Sequence, residues 1–536
     1  MNLLTLFSCI FFVVIVIVLV VVLLKDDTKL SKITLNSDGK FINSQGSEVI
    51  LRGANIANKI YPYTYGTDFL TPIKSHTSYI KDTLGFNSVR LTVAWAQVEP
   101  TPGVYDNAYL DSIFDTIDLL QNFGIYTLFD FHTDAYAQDA GGWGWPNWTI
   151  LNPNDPVSDI GFPALLFGGA SISAGVSISM TLSKTWDLFW DNTSYEGRGI
   201  QDRFFDMVIY VLNRIKRNSK IKNAIQGIGV MNEPWPGTSW LNMDIFATPQ
   251  DPPPFPDLSG DYYEWSANGT SIVDANILTP YYKRFVERYK SEGLTGDDFI
   301  LYIQPFMLFG GGCPSYLNFN TILSGVSDLN VTFNFHNYAS GASVPFNNAD
   351  NVLSLYTPSN GNRLGLYMSE FGARQSPTEW GTSIIPLSDE KKYSYNYWAY
   401  LQKLDFKFSA GLPSYEIMSI FTNPDEQFST EYINLSIVDA LSNPFPKEVP
   451  GTITSFGINS TSNNFELIFT LKNKSNKLVI SVPSHYYSVR YSTEIYSNDQ
   501  LKQTLRKLDQ VSVSFVFSDS KFSINDTIKI IIAKTA

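Results

Sequence analysis

Residues 225–237 read Ile-Gln-Gly-Ile-Gly-Val-Met-Asn-Glu-Pro-Trp-Pro-Gly. The first half is a short, nearly unbroken apolar run, the texture of a strand buried on both faces. Pro234 and Pro236 then break it and leave Asn232 and Glu233 at the strand's end. Leu366-Tyr-Met-Ser-Glu-Phe-Gly-Ala373 repeats the plan and delivers Glu370 past another apolar strand. Polar residues at the C-terminal ends of buried parallel strands are where (β/α)8 barrels carry their chemistry.

Working outward, the other strand-like runs are Val49–Ile56, Asn87–Trp95, Ile125–His132, Phe299–Pro305, Asn330–Tyr338 and Ser414–Phe421. With Ile225–Asn232 and Leu364–Glu370 they make eight. Helix-like stretches alternate with them: Tyr109–Phe123, Arg203–Arg217, Pro280–Lys290 and Lys391–Leu404. This predicts an α/β fold, a (β/α)8 TIM barrel over residues 31–443. Two of its loops, Ala135–Arg203 and Pro234–Thr279, are long enough to be lids or binding loops. From Pro444 onward, short strands separated by Asn, Ser, Asp and Lys turns predict a C-terminal antiparallel β-sandwich domain over 444–536.

Residues 1–30 read as a signal anchor or signal peptide. Leu3–Leu24 is apolar except for Thr5 and Ser8 and, as a helix, reaches about 33 Å, enough for a hydrocarbon core of about 30 Å. No basic residue precedes the run and no Ala-x-Ala-like exit follows it, which favours an uncleaved, single-pass anchor over a cleaved signal. Lys25, Lys29 and Lys32 would prefer the cytosolic side. N-x-[ST] triplets at Asn147, Asn192, Asn268, Asn330, Asn434, Asn459, Asn473 and Asn525 point instead to a body facing the lumen or exterior. Cleavage would make it secreted or lysosomal.

The whole chain has 536 residues, 44% hydrophobic and 17% charged, ample for a large core. A net charge of −13 argues against a nucleic-acid partner, which needs a basic face. With 15% aromatic residues the chain suits flat, partly apolar ligands such as carbohydrate, or simply a large aromatic core. Two cysteines exclude a disulfide framework. Four histidines without a His-Glu-x-x-His or Cys-x-x-Cys pattern argue against zinc. Phosphate-binding glycine loops and the Gly-x-Ser-x-Gly elbow are also missing.

Hydrolysis of a glycosidic bond needs a proton donor for the leaving oxygen and a carboxylate for the oxocarbenium-like centre. Glu233 and Glu370 suit these jobs, and Asn232 suits a hydrogen bond to the sugar 2-hydroxyl. Here the chain resembles clan A glycoside hydrolases of family 5, from about Val49 through Thr452. Met-Asn-Glu-Pro-Trp235-Pro-Gly is most similar to the endoglycoceramidase-related branch, and Trp235 joins the expected substrate-binding or supporting set. The resemblance implies Glu233 as acid/base and Glu370 as nucleophile of a retaining mechanism. It implies Arg90 as support for the nucleophile, and His132 and Asp134, from Phe-Asp130-Phe-His-Thr-Asp, as contacts to sugar hydroxyls. His336 would poise the acid/base, Tyr338 would donate to the nucleophile, and Lys59 would contact the distal sugar.

One departure stands out. The family usually ends its eighth strand on a tryptophan that floors the reacting sugar, and Ser414–Phe421 has none. Tyr415 or Phe421 could replace it; Trp398, on a helix-like segment, reads as packing. The leading reading is a retaining β-glycosidase that cleaves the glycan–ceramide linkage of glycosphingolipids, with a glycolipid substrate, a membrane anchor and no cofactor. The alternatives are a single-sugar β-glucosidase acting on glucosylceramide or steryl glucoside, and a β-1,4-glucanase or mannanase. Outside enzymes stands a catalytically silent glycan- or lipid-binding surface protein, which the presence of both glutamates argues against.

Overall fold

The computed structural model describes residues 30–534 except 62, 66–72, 141, 151–179, 240–272, 340–342, 373–376, 404–418, 424–427, 488–489 and 508–510. The Leu3–Leu24 run and large parts of the two long loops fall outside these residues. Among the described residues, no helix is long and apolar enough to cross a membrane.

Eight parallel strands close a barrel in chain order. They are β1 (Arg52–Asn58), β2 (Ser88–Val93), β3 (Tyr126–Phe131) and β4 (Ile225–Gly229), followed by β5 (Ile300–Ile303), β6 (Asn330–Asn337), β7 (Arg363–Phe371) and β8 (Tyr395–Lys403). Seven of the eight expected strands recur with shifted ends. The eighth does not: β8 lies where the sequence spacing suggested a helix, Lys391–Leu404. Tyr395-Asn-Tyr-Trp-Ala-Tyr400 is rich in aromatics that favour strands, and eight of its nine strand residues are buried. A strand buried on both faces shows no alternation, so its pattern could pass for a helix. The expected Ser414–Phe421 strand lies largely outside the described residues, and Phe421 makes only an isolated bridge with Ile433.

Helices flank the strands for local reasons. Asp106 caps Asn107–Asn122, its carboxylate accepting from the Tyr109 N–H at 2.9 Å. Ile200–Arg217 buries Phe204, Val208, Val211 and Ile215 and ends in Arg214, Lys216 and Arg217, which suit the negative end of the helix dipole. Pro280 sits in the first turn of Thr279–Ser291, where its fixed φ suits a helix.

The barrel interior is filled in layers. Its lower layer is a polar web: Ser88 donates to Gln226 at 2.8 Å, and Gln226 donates to the Tyr367 hydroxyl at 3.2 Å. Two glycines in β4 make room. A Cβ at Gly227 would stand 2.0 Å from the Tyr302 ring, and one at Gly229 would stand 2.2 Å from Asp130 Oδ1.

Beside the barrel lie two antiparallel sheets. The five-stranded sheet orders Gly451–Ile458, Phe465–Leu471, Thr527–Lys534, Tyr491–Ser497 and Gln500–Lys507. Strands Phe465–Leu471 and Tyr491–Ser497 alternate buried and half-buried residues, as one-sided strands should. The six-stranded sheet joins Phe445–Val449, Lys477–Ser481 and Ser512–Val516 to three N-terminal strands, Ile33–Leu35, Phe41–Asn43 and Glu48–Val49. Phe41 of this hairpin also packs against Tyr302 and Tyr367 beneath the barrel floor.

Candidate active site

The upper layer of the barrel carries the charged residues, and Arg90 is its hub. Its guanidinium, fully buried on β2, contacts the Glu370 carboxylate. It also reaches Asp130 at 2.8 Å, Asn232 Oδ1 at 2.6 Å and Asn55 Oδ1 at 3.0 Å. A buried cation stays charged only with such partners, and Asp130 and Glu370 hold its pKa above the ordinary value against the effect of burial. Burial alone would push Asp130 up, but Arg90 and His132 hold its carboxyl below the usual range. Glu370, at the end of β7, also accepts from the Tyr338 hydroxyl at 2.8 Å.

Glu233 follows β4 with φ near +39°, a left-handed backbone that a glutamate adopts only when its surroundings impose it. One such constraint is Gln304 at the end of β5, whose Oε1 accepts the Glu233 backbone N–H at 2.6 Å. That bond fixes the amide orientation and directs Gln304 Nε2 to His336 Nε2 at 2.8 Å. An amide nitrogen can only donate, so His336 Nε2 accepts. The ring proton is therefore on Nδ1, which donates to Glu233 Oε1 at 2.7 Å. The other Glu233 oxygen is left free to carry a proton. Burial, reinforced by the charge of Asp134, raises Glu233 to about 7. Burial lowers His336 to about 4, so the imidazole is neutral near pH 7.

Carboxylate oxygens of Glu233 and Glu370 lie within 4.8 Å of each other and of a His336 nitrogen. These three could be read as metal ligands, but the Nδ1 proton occupies the lone pair a cation would need. The arrangement serves proton sharing instead.

The remaining expected residues gather on the β8–β1–β3 side. His132 Nδ1 pairs with Asp130 at 2.8 Å, and Asp134 is ion-paired with Lys59. Burial would lower His132, but Asp134 and Asp130 raise it above the ordinary histidine value. Trp398, on β8, stacks on His132 with centroids 5.4 Å apart and planes 10° from parallel. Trp398 thus lies on the eighth barrel strand, where the sequence reading found no tryptophan, and not on a helix. The peptide Trp398–Ala399 is cis. The β8–β1 register shifts between Tyr397 and Leu401, and the β6–β7 register shifts between Phe335 and His336. Such bulges re-aim side chains next to active sites.

Trp235 stands on the supporting side of the site. It is 1% exposed, and its indole N–H donates to Ser183 at 3.2 Å, so it packs behind the site and offers no face to a ligand. Phe421 is likewise buried, edge to face with His76 and stacked on Phe428, and Tyr415 lies outside the described residues. Gln304, Asp130, Asn55 and Trp398 are the site residues not singled out from sequence. Asp130 was visible inside the Phe-Asp-Phe-His motif, while Gln304 in Ile-Gln-Pro carried no signal.

Residues 42–404 match the family described as cellulase (glycosyl hydrolase family 5), and the chain belongs to that family. Among curated relatives, endoglycoceramidase I of Rhodococcus hoagii is 32% identical over 211 residues, covering 39% of this chain and 38% of that protein. Ergosteryl-β-glucosidase of Saccharomyces cerevisiae is 25% identical over 265 residues, covering 38% of this chain and 35% of that protein. The matches therefore span well under half the length of either relative. Endo-glycoceramidase II from Rhodococcus sp., solved as a lactosyl-enzyme intermediate, has the same fold. Its TM-score is 0.64 over 94% of this chain and 100% of that one, at 18% identity.

Proposed function

We propose that this chain is a retaining β-glycosidase that frees the glycan of a glycosphingolipid from its ceramide. The observation that carries this reading is the pairing of two unlike glutamates. Glu233 is held protonated to about pH 7, and Glu370 is bound by a guanidinium and a phenol within 4.8 Å of it. Retaining enzymes keep their carboxyls about 5–5.5 Å apart, whereas inverting ones leave about 6.5–9.5 Å for a water. In the first step Glu370 attacks the anomeric carbon while the Glu233 proton passes to the departing ceramide oxygen. In the second, Glu233 takes a proton from water, whose oxygen displaces Glu370 and restores the anomeric configuration. Asn232 bonds the 2-hydroxyl, and Trp398 lies beneath the sugar. Lys59, His132 and Asp134 bind glycone hydroxyls.

The likeness to endoglycoceramidase I supports the glycosphingolipid substrate. The likeness to ergosteryl-β-glucosidase supports a second reading, removal of a single sugar from glucosylceramide or a steryl glucoside. Incubating the purified protein with a ganglioside and with glucosylceramide in mild detergent separates them by mass spectrometry. Intact oligosaccharide plus ceramide establishes the first reading, and glucose alone the second. Turnover by Glu370→Gln equal to wild type would falsify both.

The same proposal holds the body at a membrane, through Leu3–Leu24, on its lumenal or exterior face. The exposed sequon residues Asn473 and Asn525 support that side. Asn330 is buried, with Nδ2 bonded to Thr34 and Gly296, and cannot be glycosylated in the folded protein. A glycosidase-sensitive mass shift mapped to the exposed sites tests the orientation. Absence of that shift in protein from secretory membranes would overturn it.

A further inference from the structure

Sugar rings present apolar C–H faces, so binding clefts hold them against flat aromatic faces as well as hydrogen bonds. Here the aromatic lining does not stop at Trp398. The Lys59 ammonium lies 4.7 Å from the Trp398 ring centre and 5.6 Å from that of Trp143. Trp143 meets Tyr63 edge to face at 5.7 Å, and Tyr63 meets Tyr61 in the same manner at 6.0 Å. These rings form a file from the floor of the site to the surface. Its first three members are buried, while Tyr61 is 72% exposed. A lone exposed aromatic needs no explanation. This one is the outer end of a file that begins under the reacting sugar.

Its side of the cleft is also informative. The leaving group must sit beside the acid, and Glu233, Gln304 and His336 come from the ends of β4, β5 and β6. Trp398, Lys59 and Trp143 come from β8 and from the segments after β1 and β3, so the file runs along the glycone side. The charge of Lys59 is already met by Asp134, and at the outer end of the file it is the Tyr61 ring that is exposed to a distal ligand.

We propose that Tyr61 is a platform for a distal sugar, stacking on a glycan unit beyond those held near Trp398, and that it biases the enzyme toward oligosaccharide headgroups over single sugars. This rests on the glycosidase reading above. The test compares the aryl β-glucoside with the same aryl glycoside of a ganglioside-type tetrasaccharide, for wild type, Tyr61→Ala and Tyr61→Trp. The expected result is that the ratio of kcat/KM for tetrasaccharide over glucoside falls about tenfold in Tyr61→Ala, through KM, and returns in Tyr61→Trp.

An unchanged ratio, or an equal loss on both glycosides, overturns the proposal. So does a loss seen only with micellar ceramide substrates, which would make Tyr61 a lipid contact. Calorimetry with the free tetrasaccharide and the Glu370→Gln protein, with and without Tyr61→Ala, separates the two readings. Binding that depends on Tyr61, without hydrolysis by wild type, would remove the assigned activity and leave the platform standing. Hydrolysis with binding indifferent to Tyr61 would do the reverse.

Discussion

His336 Nδ1 lies 2.7 Å from Glu233 Oε1, and the imidazole can only be the donor, because Gln304 has already claimed its other nitrogen. This one bond decides which Glu233 oxygen carries the catalytic proton. It also makes Gln304 a positioning residue, since it acts through the tautomer of His336. In Gln304→Glu the carboxylate would accept from His336 Nε2 and turn the ring's hydrogen-bonding polarity around. We expect kcat to fall about 100-fold, at the lower end of the range attached to general acid catalysis, with KM little changed. A parallel fall in KM and kcat for Gln304→Glu, or none, would detach Gln304 from the proton transfer.

The pH profile follows from Glu233. Its buried carboxyl has a pKa of about 7, so the acid form needed for the first step is present below that pH and lost above it. The alkaline limb of kcat/KM should therefore fall near pH 7. After burial, the largest influence raising Glu233 is the Asp134 charge. Removing that charge in Asp134→Asn should move the limb to lower pH. A limb that stays put or moves upward would show that another group controls it.

The two glutamates were legible because each ends an apolar strand beside a marked break, Pro234 or Gly372, and strand ends are where barrels do chemistry. Other features depend on residues far apart in the chain. Val49 pairs with Glu448, far along the chain, so no local pattern shows that the first strands complete the C-terminal sheet. Trp398 was hidden because Tyr395–Lys403 is buried on both faces and lacks the alternation that reveals a strand. Asp130 becomes meaningful only once the closed barrel brings Arg90 to it. Trp235, a motif tryptophan next to the acid, packs into the wall, and its burial depends on contacts that the motif does not show.

Arg90 ties stability to catalysis. Replacing it with Met would leave Asp130, itself fully buried, with His132 as its remaining charged partner and Glu370 without its guanidinium. Breaking one side of a buried pair costs about 3–5 kcal/mol, read as a lower denaturant midpoint at pH 7. The folded pKa of Asp130 is depressed, so its contribution is present above the ordinary carboxylate range and lost as pH falls through the folded value. The gap between wild type and Arg90→Met should therefore narrow on acidification. A gap independent of pH would mean that lost packing, not the stranded carboxylate, dominates.

Trp398 offers the sharpest check on the floor of the site. It is nearly buried, stacked flat on His132 and close to the Lys59 ammonium, so its removal affects both sugar contact and the neighbouring side chains. Trp398→Ala should lower kcat/KM about tenfold or more, and Trp398→Phe, which keeps a smaller aromatic face, should lose less. Truncating a buried tryptophan also costs about 3–5 kcal/mol of stability, so the comparison is valid only where a denaturation curve shows the variant folded at the assay temperature. If folded Trp398→Ala hydrolyses the aryl glucoside at the wild-type rate, the sugar does not lie on this ring. The aromatic file that begins at Trp398 would then lose its inner anchor, while Tyr61 would remain testable by its dependence on glycan length.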